Sequence, residues 1–170
     1  NSTTDFVNAI GGLLGDTHIK LRYLALNTGS TQGYRFFLGF GIIKPSKNTL
    51  TSDPFSLDGS EIDDHRHFTI SDGTYKSMYE IQLYKKQPYN PIFYGISIKT
   101  ILPMEVNKYG FKPSKYYELS FTMLSSKINF INGSIGFNLN LLNSTASYWN
   151  NIQAPNTKST MLVTGFGFTK

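Results

Sequence analysis

Cysteine is absent from this 170-residue chain. That removes disulfides, thiolate metal sites and cysteine nucleophiles together. It leaves an extracellular location open, because a domain of this size folds without covalent staples. Charge is scarce: Asp, Glu, Lys and Arg make up 16% of residues, against about a quarter in an ordinary globular chain. Long surface helices need many Glu and Lys, so a helical protein is disfavoured. The only arginines are Arg22, Arg35 and Arg66. A nucleic-acid groove clusters its cations and favours Arg for phosphate, whereas here the net charge of +5 is spread along the chain, so no nucleic-acid partner is expected. The densest basic spot is Lys85-Lys86, enough for a mild attraction to acidic glycans or membranes. No apolar run approaches the roughly 18 residues of a membrane-spanning helix, and membrane insertion is not expected. The chain opens on Asn1 rather than Met, as a fragment or processed product would.

What is present points to strands. There are 13 Phe and 11 Tyr, residues that fit a pleated, half-buried surface. Alternation or apolar runs predict strands over 19–26, 34–43, 79–85, 93–102, 116–124, 128–131, 134–142 and 161–169, with a further short one over 67–70. In the run 19–26, Ile19, Leu21 and Tyr23 share a face and Lys20 and Arg22 take the other. Tyr117, Leu119, Phe121 and Met123 form an inward stripe, as do Ile135, Phe137, Leu139 and Leu141, with Asn138 and Asn140 opposite. The run 34–43 is apolar on both faces, which suggests burial between layers or at a subunit contact; Gly39 and Gly41 keep one face low for a backbone or a large aromatic. Asn132-Gly133 marks a hairpin between 128–131 and 134–142, since both residues accept φ > 0. Residues 44–76, punctuated by Pro and Gly, read as a long surface excursion. Residues 1–15 form a lead-in, a short helix or the end of a shaft, and 16–170 one domain. With no helix to cross between parallel strands, the solution is an all-β antiparallel sandwich or jelly-roll-like head of about eight strands.

Chemistry is sparse. His65 and His67, after Asp63 and Asp64, alternate as paired metal ligands can; Asp or Glu could supply a third and fourth ligand, but nothing fixes which, and a polar loop with incidental histidines is the favoured reading. No nucleophile elbow, phosphate loop or aromatic-flanked carboxylate pair is present, so no catalytic residue, metal or cofactor is assigned and an enzyme is not expected. Tyr148-Trp149-Asn150-Asn151 is the best ligand candidate: an exposed Trp stacks on a sugar while amides bind hydroxyls. The other reading makes Trp149 an anchor for its loop. Lys85 and Lys86 complete the candidate ligand-binding set. Asn1, Asn132 and Asn143 each open a glycosylation sequon, with turn chemistry the competing reason at Asn132.

The stretch from Asp16 to Pro45, a strand, a Gly-Ser turn and a second long apolar strand, resembles the start of the head domain of adenovirus fibres. The hairpin at Asn132 and the ending Ser159-Thr160-Met161-Leu162-Val163-Thr164-Gly165-Phe166-Gly167-Phe168 look like the closing strands of such heads, and Gly110-Phe111-Lys112-Pro113 matches a mid-domain Gly-Phe-x-Pro. The pattern covers about half the chain; the family's Leu-Trp-Thr opening is missing. The resemblance implies a homotrimer on a virion surface, or otherwise extracellular, that attaches to a host receptor, either protein or sialylated glycan. A bacterial β-sandwich lectin or adhesin and a small basic membrane-active toxin are the alternatives.

Overall fold

The computed structural model describes residues 14–49, 51 and 70–170. His65 and His67, residues 67–69 of the short strand expected over 67–70, and residues 1–13 of the lead-in lie outside these residues; Ile70 is in no strand.

The described residues are all-β, with their strands antiparallel in one large and one small sheet. Seven strands form the large sheet: β1 (Thr17–Asn27), β2 (Gly33–Lys44), β3 (Lys76–Lys86), β4 (Phe93–Pro103), β6 (Tyr116–Leu124), β7 (Ser134–Ser144) and β10 (Ser159–Thr169). The small sheet joins β5 (Phe111–Lys112), β8 (Tyr148–Trp149) and β9 (Ile152–Gln153). The large sheet is a meander in which strands adjacent in the sheet follow one another along the chain, apart from the short strands between them. Alternation of apolar and polar residues placed these seven strands correctly to within a few residues.

The connections are unequal at the two ends of the large sheet. At one end, here the turn end, the strands are joined by 28–32, 87–92 and 125–133; at the other, the loop end, by 45–75, 104–115 and 145–158. The small sheet belongs to the last two of these loops. Its β8–β9 hairpin turns on Asn150 and Asn151, with φ of 46° and 69°. Two successive left-handed residues make the tight turn that suits strand twist, and Asn tolerates that conformation.

The hairpin expected at Asn132 is built differently. Residues 128–131 form no strand; Ile128 and Gly133 make an isolated bridge inside the connection from β6 to β7. Asn132 is left-handed with φ 48°, and Gly133 is not. Glycine is needed at 133 for space: a Cβ there would sit 2.4 Å from the Phe168 ring.

Register fixes the two faces. One face carries Ile19, Leu21 and Tyr23 of β1, Phe36, Leu38, Phe40 and Ile42 of β2, and Ile81, Leu83, Ile96 and Ile98 of β3 and β4. It continues through Leu119, Phe121, Leu139 and Leu141 to Leu162, Phe166 and Phe168. The opposite face carries Lys20, Arg22, Glu80, Gln82, Ser97, Lys99, Glu118, Ser120, Thr122, Asn138 and Asn140. The stripes expected to point inward are therefore each on one face, but that face is the open one. Ile98, at the middle of the sheet, is 50% exposed, and Phe166 80%. The polar face is the crowded one: Glu80 is 9% exposed and Gln82 6%. Side chains that shield one another on one face and splay apart on the other are those of a curved sheet with its polar face inside.

Candidate functional site

The polar face is held by a row of alternating charge. Arg22, Glu80, Lys99 and Glu118 lie on one register line across β1 to β6, with Gly39 as the β2 member. Glu80 pairs with Lys20 and, at 3.4 Å, with Arg22; Lys99 Nζ lies 3.6 Å from Glu118 Oε2. β1 and β3 are not neighbours, so the Glu80 pairs must cross β2. They do so over Gly39, where a Cβ would come within 3.0 Å of both Glu80 Cβ and Oε2. Gly39 keeps this face low, as its sequence context suggested, but an ion pair occupies the space and not a backbone or aromatic ring. Gly95 does the equivalent for an aromatic: the Tyr84 ring lies over it, 2.1 Å from where a Cβ would be, stacked 5.4 Å from Phe93 and edge-on to Phe37.

Burial raises the pKa of Glu80, but the hydrogen bond and charge of Lys20 and the charge of Arg22 outweigh it, and the carboxyl is held below its ordinary 4.5. A lowered folded pKa contributes stability that is present above the unfolded value and is lost as pH falls through the folded one. Wild type should therefore lose stability as pH drops below about 4.5, and Glu80→Gln should be less stable at neutral pH with a flatter acid limb. Denaturant titrations between neutral pH and about pH 3 read this directly; identical acid limbs would remove Glu80 from the account.

The apolar face has its own order. Its two central rows are aliphatic and Phe apart from Tyr23 on β1 and Thr164 on β10. Tyr79 and Tyr117 lie toward the loop end, and Tyr34 and Tyr94 toward the turn end. The apolar stretch also drifts. On β1 it begins at Ile19 and on β10 at Leu162, two register rows (four residues) further toward the turn end. Four residues are about 13 Å along a strand, over roughly 29 Å across the sheet, so the apolar band is inclined by about 25° from the perpendicular to the strands.

The candidate ligand residues fall in separate places. Trp149 is 3% exposed and packs on Phe111 at 4.9 Å. An exposed stacking platform is thus not formed, and the indole anchors the loop. Asn150 and Asn151 are exposed but occupy the left-handed turn positions, and the Asn150 N–H donates to Gly110 O at 3.0 Å. Tyr148 pairs with Lys112 and Gln153 in the small sheet. Lys85 and Lys86 lie at the turn end, the opposite end of the large sheet, and on opposite faces of it. At the loop end, Asp16, Asp72 and Lys76 border an open depression of about 560 Å3 with Phe111, Ser147 and Thr157. Lys76 is committed to Asp72 at 2.5 Å and Asp16 at 3.9 Å. Asn107 ties this region together, donating to Asp72 O and accepting from the N–H groups of Tyr109 and Phe111. Sequence reasoning missed this network, since no spacing rule brings 72 and 107 together. Among the described residues no group of His, Asp or Glu is placed to hold a metal ion, and no helix is long and apolar enough to cross a membrane.

No family model matches this chain, and no curated protein or solved structure matches it either.

Proposed function

We propose that the chain is a transmembrane β-barrel protein of the outer-membrane type, with the large sheet as barrel wall, its apolar face against lipid and its polar face turned inward. The observation that carries this is the inverted burial: charged Glu80 and polar Gln82 are shielded, while Ile81 and Ile98 are about half exposed. Water is a poor solvent for a contiguous apolar face spanning seven strands, and a bilayer is a good one.

Other features support the same reading. The long strands have 9 to 12 residues, and about 9–11 tilted residues cross a bilayer. Alternating apolar-out and polar-in residues, short turns at one end, long loops at the other, and aromatic residues bordering an apolar band are the marks of such barrels. The oblique band is what tilted strands in a flat membrane require. The edge strands β1 and β10 both run from the loop end to the turn end, so pairing them directly would place one parallel ladder in an antiparallel sheet. Closure takes an odd number of further strands antiparallel to both. One such strand would make eight, a barrel whose interior side chains fill, as the Glu80 ladder begins to do. A filled interior leaves the long loops as the working end. The binding role read from the sequence then belongs to loops displayed above a membrane. A trimeric attachment head buries the same apolar residues, but it gives no reason for the charged face to be the shielded one.

The test is refolding from urea into phosphatidylcholine vesicles followed by flotation. The protein should float, show β-sheet circular dichroism and resist extraction at high pH. Recovery as a soluble folded monomer or trimer, with or without vesicles, would return the argument to the attachment head.

A further inference from the structure

Among the described strand residues, the apolar face carries two formal charges: Lys44, the last residue of β2 at the loop end, and Lys85, next to the last residue of β3 at the turn end. Its register partners on either side are Tyr34 of β2 and Tyr94 of β4. Its Nζ lies 5.1 Å from the Tyr34 ring centroid and 5.8 Å from that of Tyr94. Directly beside the trio is a depression of about 230 Å3 whose other walls include Leu83, Ile96 and Phe121.

We propose that Lys85, Tyr34 and Tyr94 form a binding site for the phosphate of an anionic phospholipid, with one acyl chain lying along Leu83, Ile96 and Phe121; this rests on the membrane-barrel reading above. A lysine that only snorkels reaches away from apolar surface into water. Lys85 is instead held between two rings. Hydrogen bonds to Tyr34 and then Tyr94 raise its pKa, so it stays protonated at every pH of interest. When the ammonium donates to the two phenol oxygens, both phenol O–H groups are free to donate outward, alongside the third ammonium proton. An ammonium flanked by two phenol hydroxyls offers several donors to the oxygens of one phosphate group. The location is the edge of the apolar band, where headgroups lie and where aromatic residues anchor. The groove beside it is apolar, which a free phosphate has no use for and a lipid chain does.

The experiment uses the protein reconstituted in mixed phosphatidylglycerol and phosphatidylcholine bilayers. Retained lipids are counted by native mass spectrometry after gentle detergent extraction. Wild type should keep phosphatidylglycerol about fivefold over phosphatidylcholine, the scale of one basic group near a bilayer surface. Lys85→Gln should bring the ratio to about one, and the Tyr34→Phe, Tyr94→Phe double variant, which keeps both rings, should lower it in part. Added inorganic phosphate should not displace the lipid. Equal retention of both lipids by wild type, an unchanged preference in Lys85→Gln, or displacement by inorganic phosphate would each overturn the site. The barrel reading survives those results as long as the protein floats with phosphatidylcholine vesicles. A protein that does not float fails at that earlier step, and the lipid site fails with it.

Discussion

Ile98→Arg should destabilise the membrane-inserted protein by about 2–4 kcal/mol, while Ser97→Arg, one residue away, should cost far less. Ile98 sits on the apolar face between Ile81 and Leu119 in register, and Ser97 on the polar face between Gln82 and Ser120. If the apolar face met water, Ile98 would be a half-exposed surface position, where substitutions usually change stability by no more than about 0.5 kcal/mol. At the middle of a bilayer the same arginine must be desolvated or drag water in, and the cost becomes several times larger. Denaturant titration of the vesicle-bound protein measures the difference. Equal, small effects at the two positions would place the apolar face in water.

Trp149→Ala should cost about 3 kcal/mol or more, the range for emptying a buried large aromatic. The loss should fall on the loop end. Trp149 packs against Phe111, and β5, β8 and β9 join loops 104–115 and 145–158 through it. Its Nε1 is buried and has no hydrogen-bond partner among the described residues, so Trp149→Phe removes no polar contact among them and should cost under about 1.5 kcal/mol. Limited proteolysis should cut both loops early in the alanine variant and leave the large sheet intact. Normal loop protection in Trp149→Ala would mean that the indole is not the anchor, and the sugar-stacking role would stand again.

Strands were legible because period-two alternation is a local signal. Tyr116–Leu124 was placed to the residue. The partition of Ile135, Phe137, Leu139 and Leu141 from Asn138 and Asn140 was also readable. Which face looks outward was not, because a sandwich and a barrel wall share that alternation and differ only in what covers the apolar side. A sharper clue lay in the other face. Charges at Arg22, Glu80, Lys99 and Glu118 fall at matching heights on β1, β3, β4 and β6, but seeing this needs the register. Strands of two residues, such as Tyr148–Trp149, carry no periodicity to read. Asn150-Asn151 was a turn signal taken for ligand chemistry, since the amides that suit hydroxyls also tolerate left-handed backbone. Of the ligand residues proposed from sequence, Lys85 alone gains a specific setting, and its partners Tyr34 and Tyr94 come from other strands.

The absence of native cysteine permits a direct test of the central claim, a cysteine scan along β4 with a nitroxide attached in turn at residues 96, 97, 98, 99 and 100 in lipid vesicles. Spin-label relaxation by oxygen, which concentrates in lipid, and by a water-soluble nickel chelate reports each environment. The barrel wall predicts period-two alternation, with high oxygen access at Ile96, Ile98 and Thr100 and low oxygen access at Ser97 and Lys99. Loss of that alternation, or nickel access at Ile98 as great as at a residue in loop 104–115, would contradict it.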